Sequence, residues 1–152
     1  MYSNQLIVDI LLYIDENINK KITMDEISKM FYFNKDYIMR LFKKELGITI
    51  MDYINKKRIY NSLESVKNTD YLMIKIALNN GFFSQEYFCE TFTKVIGESP
   101  LCYRRFTKPG NLVTEEEYDN IRKGLVELSY LIKKVDLYKR SLPTCEVKRF
   151  SL

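Results

Sequence analysis

Residues 76–100, IALNNGFFSQEYFCETFTKVIGESP, form the stretch of this chain that decides its fold. A short helical pattern begins at Ile76 and is ended by Gly81. Ser84 then stands where an N-cap would open a second helix, whose apolar residues recur three and four positions apart. These apolar residues are Tyr87, Phe88, Phe92, Val95 and Ile96. The stretch predicts two short helices joined by a tight turn, the unit that places its second helix in the major groove of DNA.

A second copy of this unit lies earlier, in residues 27–47, ISKMFYFNKDYIMRLFKKELG. Ile27 stands 49 residues before Ile76, and from the second helix onward the offset is 50, so that Gly47 matches Gly97. A repeat of this period can indicate a solenoid, but two copies are too few for one. The chain is therefore predicted to carry two helix-turn-helix units.

Composition limits the class of protein. The chain has 152 residues, of which 46% are hydrophobic, enough for one packed domain or two small ones. Its net charge of +4 does not by itself indicate a nucleic-acid partner. Affinity for phosphates would have to come from local basic clusters such as Lys35, Arg40, Lys43 and Lys44, although such clusters are more often solvated helix faces.

Several kinds of site are not expected. Three cysteines without a paired spacing and the absence of histidine argue against a disulfide framework and a structural zinc site. No glycine-rich phosphate loop or nucleophile beside a general base is recognisable, so we expect no enzyme, no cofactor and no metal. The first residues carry no basic leader and no segment approaches a membrane span, so a cytoplasmic protein is expected.

The remaining pattern predicts helices around and between the two units. Apolar residues from Leu6 to Ile18 indicate an opening amphipathic helix. Thr23 with Glu26 fits a capping box before a helix over residues 24–31. A longer helix that begins after Thr49 and runs to about residue 66 would be roughly 24 Å long and would act as a strut between the units.

The second helix of the earlier unit, from Lys35 to about Leu46, should bury Tyr37, Ile38, Leu41 and Phe42. Its outward face then consists of Lys35, Asp36, Met39, Arg40 and Lys43. Arg40 is the leading candidate for reading sequence, because a guanidinium bonds a guanine edge bidentately for roughly 1–3 kcal/mol of discrimination. The alternative is an ion pair with Asp36, four residues back.

The corresponding helix of the later unit, over residues 84–96, presents a less basic face. Its candidate DNA-binding residues are Ser84, Gln85, Glu86, Cys89, Glu90 and Lys94, with Thr93 on the same face. Glu86 and Glu90 would repel phosphates unless they accept hydrogen bonds from cytosine amino groups, and Gln85 could contact adenine or a phosphate. Cys89 is interpreted as a small residue of the helix face rather than a redox-sensitive thiol.

These motifs carry a family resemblance. The central signature is Tyr53-x4-Arg58-Ile59-x2-Ser62, joined by the Gly81-Phe82 turn and the closing Gly97-x2-Pro100-x2-Tyr103-Arg104. Residues from about 4 to 106 thereby resemble the DNA-binding domain of the AraC/XylS family of bacterial transcription regulators. The resemblance implies seven helices in two subdomains joined by a linker helix, which bind promoter DNA and usually activate transcription through RNA polymerase.

Carrying the family's base-contacting positions onto this sequence gives Asp36, Met39, Arg40, Gln85, Glu86 and Glu90. Two kinds of departure from the family's pattern stand out. Ser28 and Ser62 occupy positions that usually hold alanine, and Glu90 and Thr93 replace basic residues. Few residues precede the first helix, so the resemblance is to stand-alone members without an N-terminal effector domain.

The predicted fold class is all-α, with two helix-turn-helix subdomains, a linker helix and a C-terminal helical extension. The expected DNA-binding domain is 1–106, comprising a first unit at about 5–47, a linker helix at about 49–66 and a second unit at about 71–106. Residues 107–152 form the extension. Thr114 with Glu117 fits a further capping box there, and residues 144–152 resemble a strand or frayed end.

A heptad-like seam runs along the helix of the extension: Tyr118, Ile121, Leu125, Leu128, Ile132 and Val135. Three alternatives are open for this seam. It could fold back onto the DNA-binding domain, form a homodimer through residues 114–140, or dock onto a partner protein. The leading function is a sequence-specific transcription regulator, an activator by family habit. The alternative is a protein-binding regulatory module, an anti-activator or co-regulator, that binds DNA weakly.

Overall fold

The computed structural model describes residues 2–110 and 112–141, and these are all-α, as the sequence predicted. The helices are α1 (Tyr2–Glu16), α2 (Met24–Phe31), α3 (Lys35–Leu46), α4 (Ile50–Asn68), α5 (Met73–Asn79), α6 (Gln85–Ile96), α7 (Pro100–Phe106) and α8 (Glu115–Arg140). Seven of them precede residue 107 and the eighth is the C-terminal extension. The predicted strand or frayed end at residues 144–152 lies outside the described residues.

Local hydrogen bonds begin and end the helices at the predicted residues. The side chains of Thr23, Asn34 and Ser84 accept hydrogen bonds from backbone N–H groups two or three residues ahead, at 3.2, 2.8 and 3.1 Å. Gly47 and Gly97 close α3 and α6 with φ values of 73° and 101°. Because these left-handed angles suit glycine, α3 and α6 each end at a residue that the sequence marks clearly.

The capping box of α8 is also confirmed. The Glu117 N–H donates to the Thr114 hydroxyl at 3.1 Å, and the Thr114 N–H donates to the Glu117 carboxylate at 2.9 Å. The start of α5 has no side-chain cap, because the residue before it is Leu72, whose side chain makes no capping bond. The polar residues that precede Leu72 form a turn, in which the Thr69 hydroxyl donates to the Ser65 carbonyl at 2.6 Å.

The two turns of the repeated motif differ in their backbone. In the later unit, Gly81 has a φ of 86°, which glycine adopts without strain. The matching residue of the earlier unit is Tyr32, which has a φ of 60° and leaves 92% of its side chain exposed. The first turn therefore keeps a left-handed geometry without the residue that usually supports it.

The described chain divides into two compact units, residues 2–54 with 133–141, and residues 55–132. In the first unit, α1 packs against α2 and α3. Its core contains fully buried side chains from each of these helices, among them Ile10, Ile27 and Phe42. In the second unit, α6 packs against α5 and α7, and Phe88 and Phe92 lie at the centre of an aromatic core.

The seam of α8 packs within the chain, which is the first of its three predicted arrangements. Ile121, Leu128 and Ile132 belong to the core of the second unit, and Val135 is 1% exposed in the first. Leu125 is partly buried, whereas Tyr118, also predicted for the seam, is 41% exposed. A heptad pattern reports only that a helix has an apolar stripe, and here the chain's own units cover most of it.

The two serines that replace family alanines are accommodated by hydrogen bonds to the backbone. Ser62 is fully buried and donates to the Ile59 carbonyl at 2.7 Å. Ser28 donates to the carbonyl of Phe33 in the first turn. Each hydroxyl thus has a partner, and burying it carries no unpaired donor.

Among the described helices, none has the length and apolarity that crossing a bilayer would require.

A polar cluster attaches the end of α8 to the first unit. The Lys139 ammonium lies 2.7 Å from an Asp15 oxygen and 3.3 Å from an Asp136 oxygen. The Tyr138 hydroxyl lies 3.4 Å from a Glu45 carboxylate oxygen, and Tyr53 approaches Asp15 at the same distance. Each tyrosine hydroxyl can donate only while protonated. The cluster is therefore sensitive to alkaline pH.

The pKa values of this cluster give a direction for that sensitivity. Burial, followed by the charge and hydrogen bond of Glu45, raises the pKa of Tyr138 to about 12. Burial, then the charges of Asp15 and Asp136, raises the pKa of Tyr53. Burial lowers the pKa of Lys139, but its two carboxylate partners outweigh this and the net shift is upward. All three groups hold their protons more tightly when folded.

We expect stability to be fully present below about pH 10 and to fall as pH rises through the folded pKa values, because only the unfolded state releases these protons easily. Tyr138→Phe should make the decrease in stability between about pH 10 and 12 shallower, because unfolding of the variant releases up to one proton fewer. Denaturant unfolding followed by circular dichroism at several pH values measures it. Tyr130→Phe, on an exposed side chain of the same helix, is the control. An unchanged slope in Tyr138→Phe would contradict the expectation.

Candidate nucleic-acid interface

The outward face of α3 is exposed as the sequence predicted. Lys35, Asp36, Met39, Arg40 and Lys43 are all exposed, while Ile38, Leu41 and Phe42 are buried. Met39, the apolar member of the exposed group, keeps 42% of its surface accessible. The structure therefore brings the five candidates of the first unit together on one side of one helix.

Tyr37 was predicted to be buried, and this was wrong; Tyr87, counted among the apolar residues of its helix, is exposed as well. Tyr37 is 40% exposed and stacks on Phe33 with ring centroids 5.6 Å apart. Tyr87 is 49% exposed, and its hydroxyl accepts a hydrogen bond from the Asn55 amide at 2.9 Å. Each ring packs by one face while its polar end reaches outward, as tyrosine commonly does. Helical spacing indicated that each tyrosine ring packs on one face, but it did not indicate that the rest of the side chain is exposed.

Arg40 does not form the predicted alternative ion pair with the Asp36 carboxylate. Its Nε donates to the Asp36 backbone carbonyl at 3.3 Å, one turn back along α3. None of the described carboxylates forms an ion pair with Arg40. The rest of the guanidinium is exposed and has its donors available for an incoming acceptor.

Lys35 is placed differently. Its ammonium lies 2.8 Å from an Asp25 oxygen of α2, and the bond and charge of Asp25 raise the pKa of Lys35. The same pair lowers the pKa of Asp25. Both groups are on the surface, so the pair contributes little to stability. Lys35 would have to leave Asp25 in order to bind a phosphate fully.

A recess of about 470 Å³ adjoins the exposed face of α3. It lies between the C-terminal half of α3 and the first residues of α4, and its wall is formed by Met39, Arg40, Lys43, Lys44, Thr49, Ile50 and Met51. The sequence marked Met39, Arg40 and Lys43 as site residues and Lys44 only as a member of a basic cluster. No sequence pattern marks Met51.

The candidate face of α6 is exposed but carries mixed charge. Gln85, Glu86, Glu90 and Lys94 are exposed, whereas Ser84 is only partly so because its hydroxyl caps the helix. Thr93 is also exposed, and its hydroxyl donates to the Cys89 carbonyl at 2.8 Å. The structure places four of the six candidate residues of this helix on an open surface.

Cys89 was predicted on the exposed face, and this is corrected by the structure. Its side chain is partly buried and packs against the core of the second unit. Burial, and to a smaller extent the charge of Glu86, raises the pKa of the Cys89 thiol. A thiol with a raised pKa is a poor nucleophile, so the helix-face interpretation is favoured over a redox-sensitive one.

The C-terminal ends of α3 and α6 are each covered by α8 within their own unit. In the first unit, the Lys134 ammonium donates to the Leu46 carbonyl at 3.1 Å. In the second, Gly124 packs so closely that a Cβ there would lie 2.0 Å from the Ile96 carbonyl oxygen. Leu46 and Ile96 are the last residues of α3 and α6. The extension therefore contacts matching ends of the two repeated helices.

A group of potential metal ligands was not anticipated. The ligand atoms of Glu98, Cys102 and Glu117 lie within 4.8 Å of one another. The carboxylates already have protein donors, since Glu98 accepts from the Asn120 amide and Glu117 caps α8. Burial, then the charges of Glu117 and Glu98, raises the pKa of the Cys102 thiol. A neutral thiol beside occupied carboxylates is a structural packing arrangement, and we assign no metal to it.

The chain is similar in sequence to known helix-turn-helix proteins. A family described as "Helix-turn-helix domain" matches residues 27–105. The uncharacterised HTH-type transcriptional regulator YbfP of Bacillus subtilis is 32% identical over 118 residues, 78% of this chain and 40% of YbfP. The HTH-type transcriptional activator AarP of Providencia stuartii is 30% identical over 103 residues, 68% of this chain and 76% of AarP.

A solved structure shares the fold. The C-terminal domain of AraT, a response regulator from Geobacillus stearothermophilus, is 27% identical, with a TM-score of 0.63 over 72% of this chain and 92% of that domain. The present chain spans less than half the length of YbfP but most of AarP. The match includes both repeated units and the helix that joins them. The chain therefore belongs to the AraC/XylS family of helix-turn-helix transcription regulators.

Proposed function

We propose that this protein is a sequence-specific DNA-binding transcription regulator, in which α3 and α6 enter successive segments of the major groove. The observation that carries this proposal is the exposed face of α3. It presents Arg40 and Lys43 without a carboxylate partner among the described residues. A helix with such a face matches the size and the acceptors of the major groove.

Arg40 and Lys43 are proposed to have different roles, because a guanidinium and an ammonium bind different acceptors. Arg40 is proposed to read a guanine, since its planar donors fit two acceptors on that base edge. Lys43 is proposed to bind a backbone phosphate, which an ammonium does without selecting a base. Met39 would contact apolar groups such as a thymine methyl.

The second unit is proposed to contribute less affinity. Glu86 and Glu90 are exposed on α6, and their charges oppose phosphates at close range. They can be retained at a DNA interface if they accept hydrogen bonds from cytosine amino groups, while Gln85 contacts adenine or a phosphate. Ser84 and Lys94 are proposed as flanking contacts at the two ends of the helix.

Activation of transcription through RNA polymerase is proposed from the family and from the name of AarP, a transcriptional activator. Nothing in the chemistry of α3 or α6 decides between activation and repression, because both begin with the same DNA contact. The proposed function locates the protein in the cytoplasm with the DNA. Comparing expression from a bound promoter with and without the protein would determine the sign of regulation.

Arg40→Ala is expected to lose discrimination at one base position by roughly 1–3 kcal/mol, because that position alone loses its bidentate partner. Lys43→Ala is expected to weaken binding almost equally across sequences and to reduce the salt slope by about one. Fluorescence anisotropy with DNA selected from a random pool, measured at several salt concentrations, separates the two effects.

Lys123→Ala provides the control, since Lys123 is exposed on α8 and lies outside both recognition helices. Circular dichroism must show that each variant remains folded. The proposal fails if the intact chain shows no salt-dependent binding to any selected duplex. It also fails if Arg40→Ala retains the full sequence preference of the parent.

A second candidate function is supported by the outer face of α8. Val126, Tyr130 and Leu137 are 64%, 71% and 66% exposed at helical spacing, although most of the predicted seam is buried in the chain itself. A homodimer through residues 114–140, or docking of this helix onto a partner protein, would use this outer face. Molar mass is measured by multi-angle light scattering for the parent and for a Val126→Glu, Tyr130→Glu variant. This measurement distinguishes a self-associating protein from a monomer.

A further inference from the structure

The recess beside α3 has a mainly apolar lining, which a contact with a DNA phosphate would leave uncovered. Ile50, one of the residues that line it, is only 2% exposed. Met39 and Met51 line it while keeping 42% and 44% of their own surfaces exposed. Methionine side chains are flexible and polarisable, so a wall made of them adapts to apolar groups of different shape.

Three cations border the same recess. Arg40, Lys43 and Lys44 occupy one turn of α3 and all line it. In the part of the chain that the structure describes, none of these three forms an ion pair with a carboxylate. Because the wall is mainly apolar, their hydrocarbon stems form the lining and their charged ends stay in water. The recess therefore combines an apolar floor with a cationic edge.

We propose that this recess binds a small amphipathic anion, with one carboxylate at the cationic edge and an unbranched apolar body on the methionine wall. A volume of about 470 Å³ lies within the range of roughly 300–1,000 Å³ that is common for small-molecule sites. A DNA phosphodiester satisfies the cations but has no apolar body to cover the exposed surfaces of Met39 and Met51. Charge and apolarity together thus favour an amphipathic occupant over phosphate alone.

Such an occupant would regulate the proposed function, on which this part of the inference rests. Met39, Arg40 and Lys43 both line the recess and form the exposed face of α3. A bound anion would neutralise the cations and occupy the space in front of them. It would therefore compete with DNA, because two ligands that need the same groups cannot bind at once.

Octanoate is a suitable probe because its ten non-hydrogen atoms fit the recess. Methyl-labelled methionine gives five reporters in the described chain. Met39 and Met51 line the recess, whereas Met24, Met30 and Met73 do not. We expect octanoate to shift the first two methyl resonances saturably, with a dissociation constant of about 1 mM as befits so small a ligand, and to leave the other three in place.

Two comparisons test the role of charge. Octanol, which has the same apolar body without the carboxylate, should bind about fivefold more weakly. A Lys43→Ala, Lys44→Ala variant should lose a similar factor, while Lys21→Ala, on an exposed lysine outside the recess, should not. Equal binding of octanoate and octanol, or equal shifts of all five methyl groups, would overturn the proposal. So would the absence of any shift.

The competition with DNA is measured separately. Octanoate should raise the apparent dissociation constant for a selected duplex in proportion to its occupancy of the recess. If the chain bound no DNA at all, the methyl shifts would still report on the recess, so a failure of the proposed function would be recognised as such. If octanoate shifted Met39 and Met51 but left DNA affinity unchanged, the regulatory part of the inference would be wrong.

Discussion

Gly124→Ala is expected to destabilise the protein by about 2–3 kcal/mol, although the same change in an ordinary helix interior stabilises by about 1 kcal/mol. The new Cβ would lie 2.0 Å from the carbonyl oxygen of Ile96 and 2.4 Å from its carbonyl carbon. These are backbone atoms at the end of α6, so they cannot turn aside as a flexible side chain could. Either α8 or the end of α6 must move, and the buried contacts of Ile121 and Leu128 are lost with it.

Urea unfolding followed by circular dichroism measures this loss. Ser129→Ala is the matched control, because Ser129 is exposed on the same helix and its replacement should stabilise by a few tenths of a kcal/mol. Because Gly124→Ala should lower and Ser129→Ala should raise the free energy of unfolding, the two results are easily distinguished. A Gly124→Ala variant that is more stable than the parent would show that α8 does not pack on Ile96.

Helix boundaries were predictable because they depend on neighbours in sequence. Thr23, Asn34 and Ser84 cap helices through bonds that span two or three residues. Such bonds form whatever the rest of the fold does, and their signatures are therefore legible in the chain itself. At α5 this signal is missing, because Leu72 precedes the helix without a capping bond and the polar Thr69 bonds back to Ser65.

The role of α8 could not be predicted in this way. Its seam indicates an apolar stripe, but intrachain packing and dimerisation need the same stripe. The residues that receive it are remote, since Lys134 bonds to Leu46 across 88 positions. Gly124 was the available clue, because a glycine inside a helical pattern costs stability unless close packing requires it.

The candidate interface was predictable in part. The exposed face of α3 follows from helical geometry once Ile38, Leu41 and Phe42 are assigned to the core. The recess does not, because it needs Met51 from the start of α4 beside Met39 of α3. The partial burial of Cys89 was missed for a related reason, since it depends on neighbours in the core of the second unit.

Truncating the chain after residue 112, close to the predicted domain boundary at 106, is expected to cause a large loss of stability. This removes α8 and with it four buried apolar side chains, Ile121, Leu128, Ile132 and Val135. At roughly 1.5–3 kcal/mol for each buried side chain, the loss is on the order of 6–12 kcal/mol, comparable with the whole stability of a typical domain. The shortened chain should therefore lose cooperative unfolding.

The matched control for this deletion is a chain ending at Ser141, which retains all of α8. In urea, the control should unfold in a single steep transition or in two, whereas the shortened chain should show a broad change with exposed apolar surface that binds a hydrophobic dye. The second unit should suffer more, because three of the four side chains belong to its core and one to the first unit. Equal stability of the two chains would mean that the two helix-turn-helix units are complete without α8, and that its packing on Ile96 and Leu46 follows folding without supporting it.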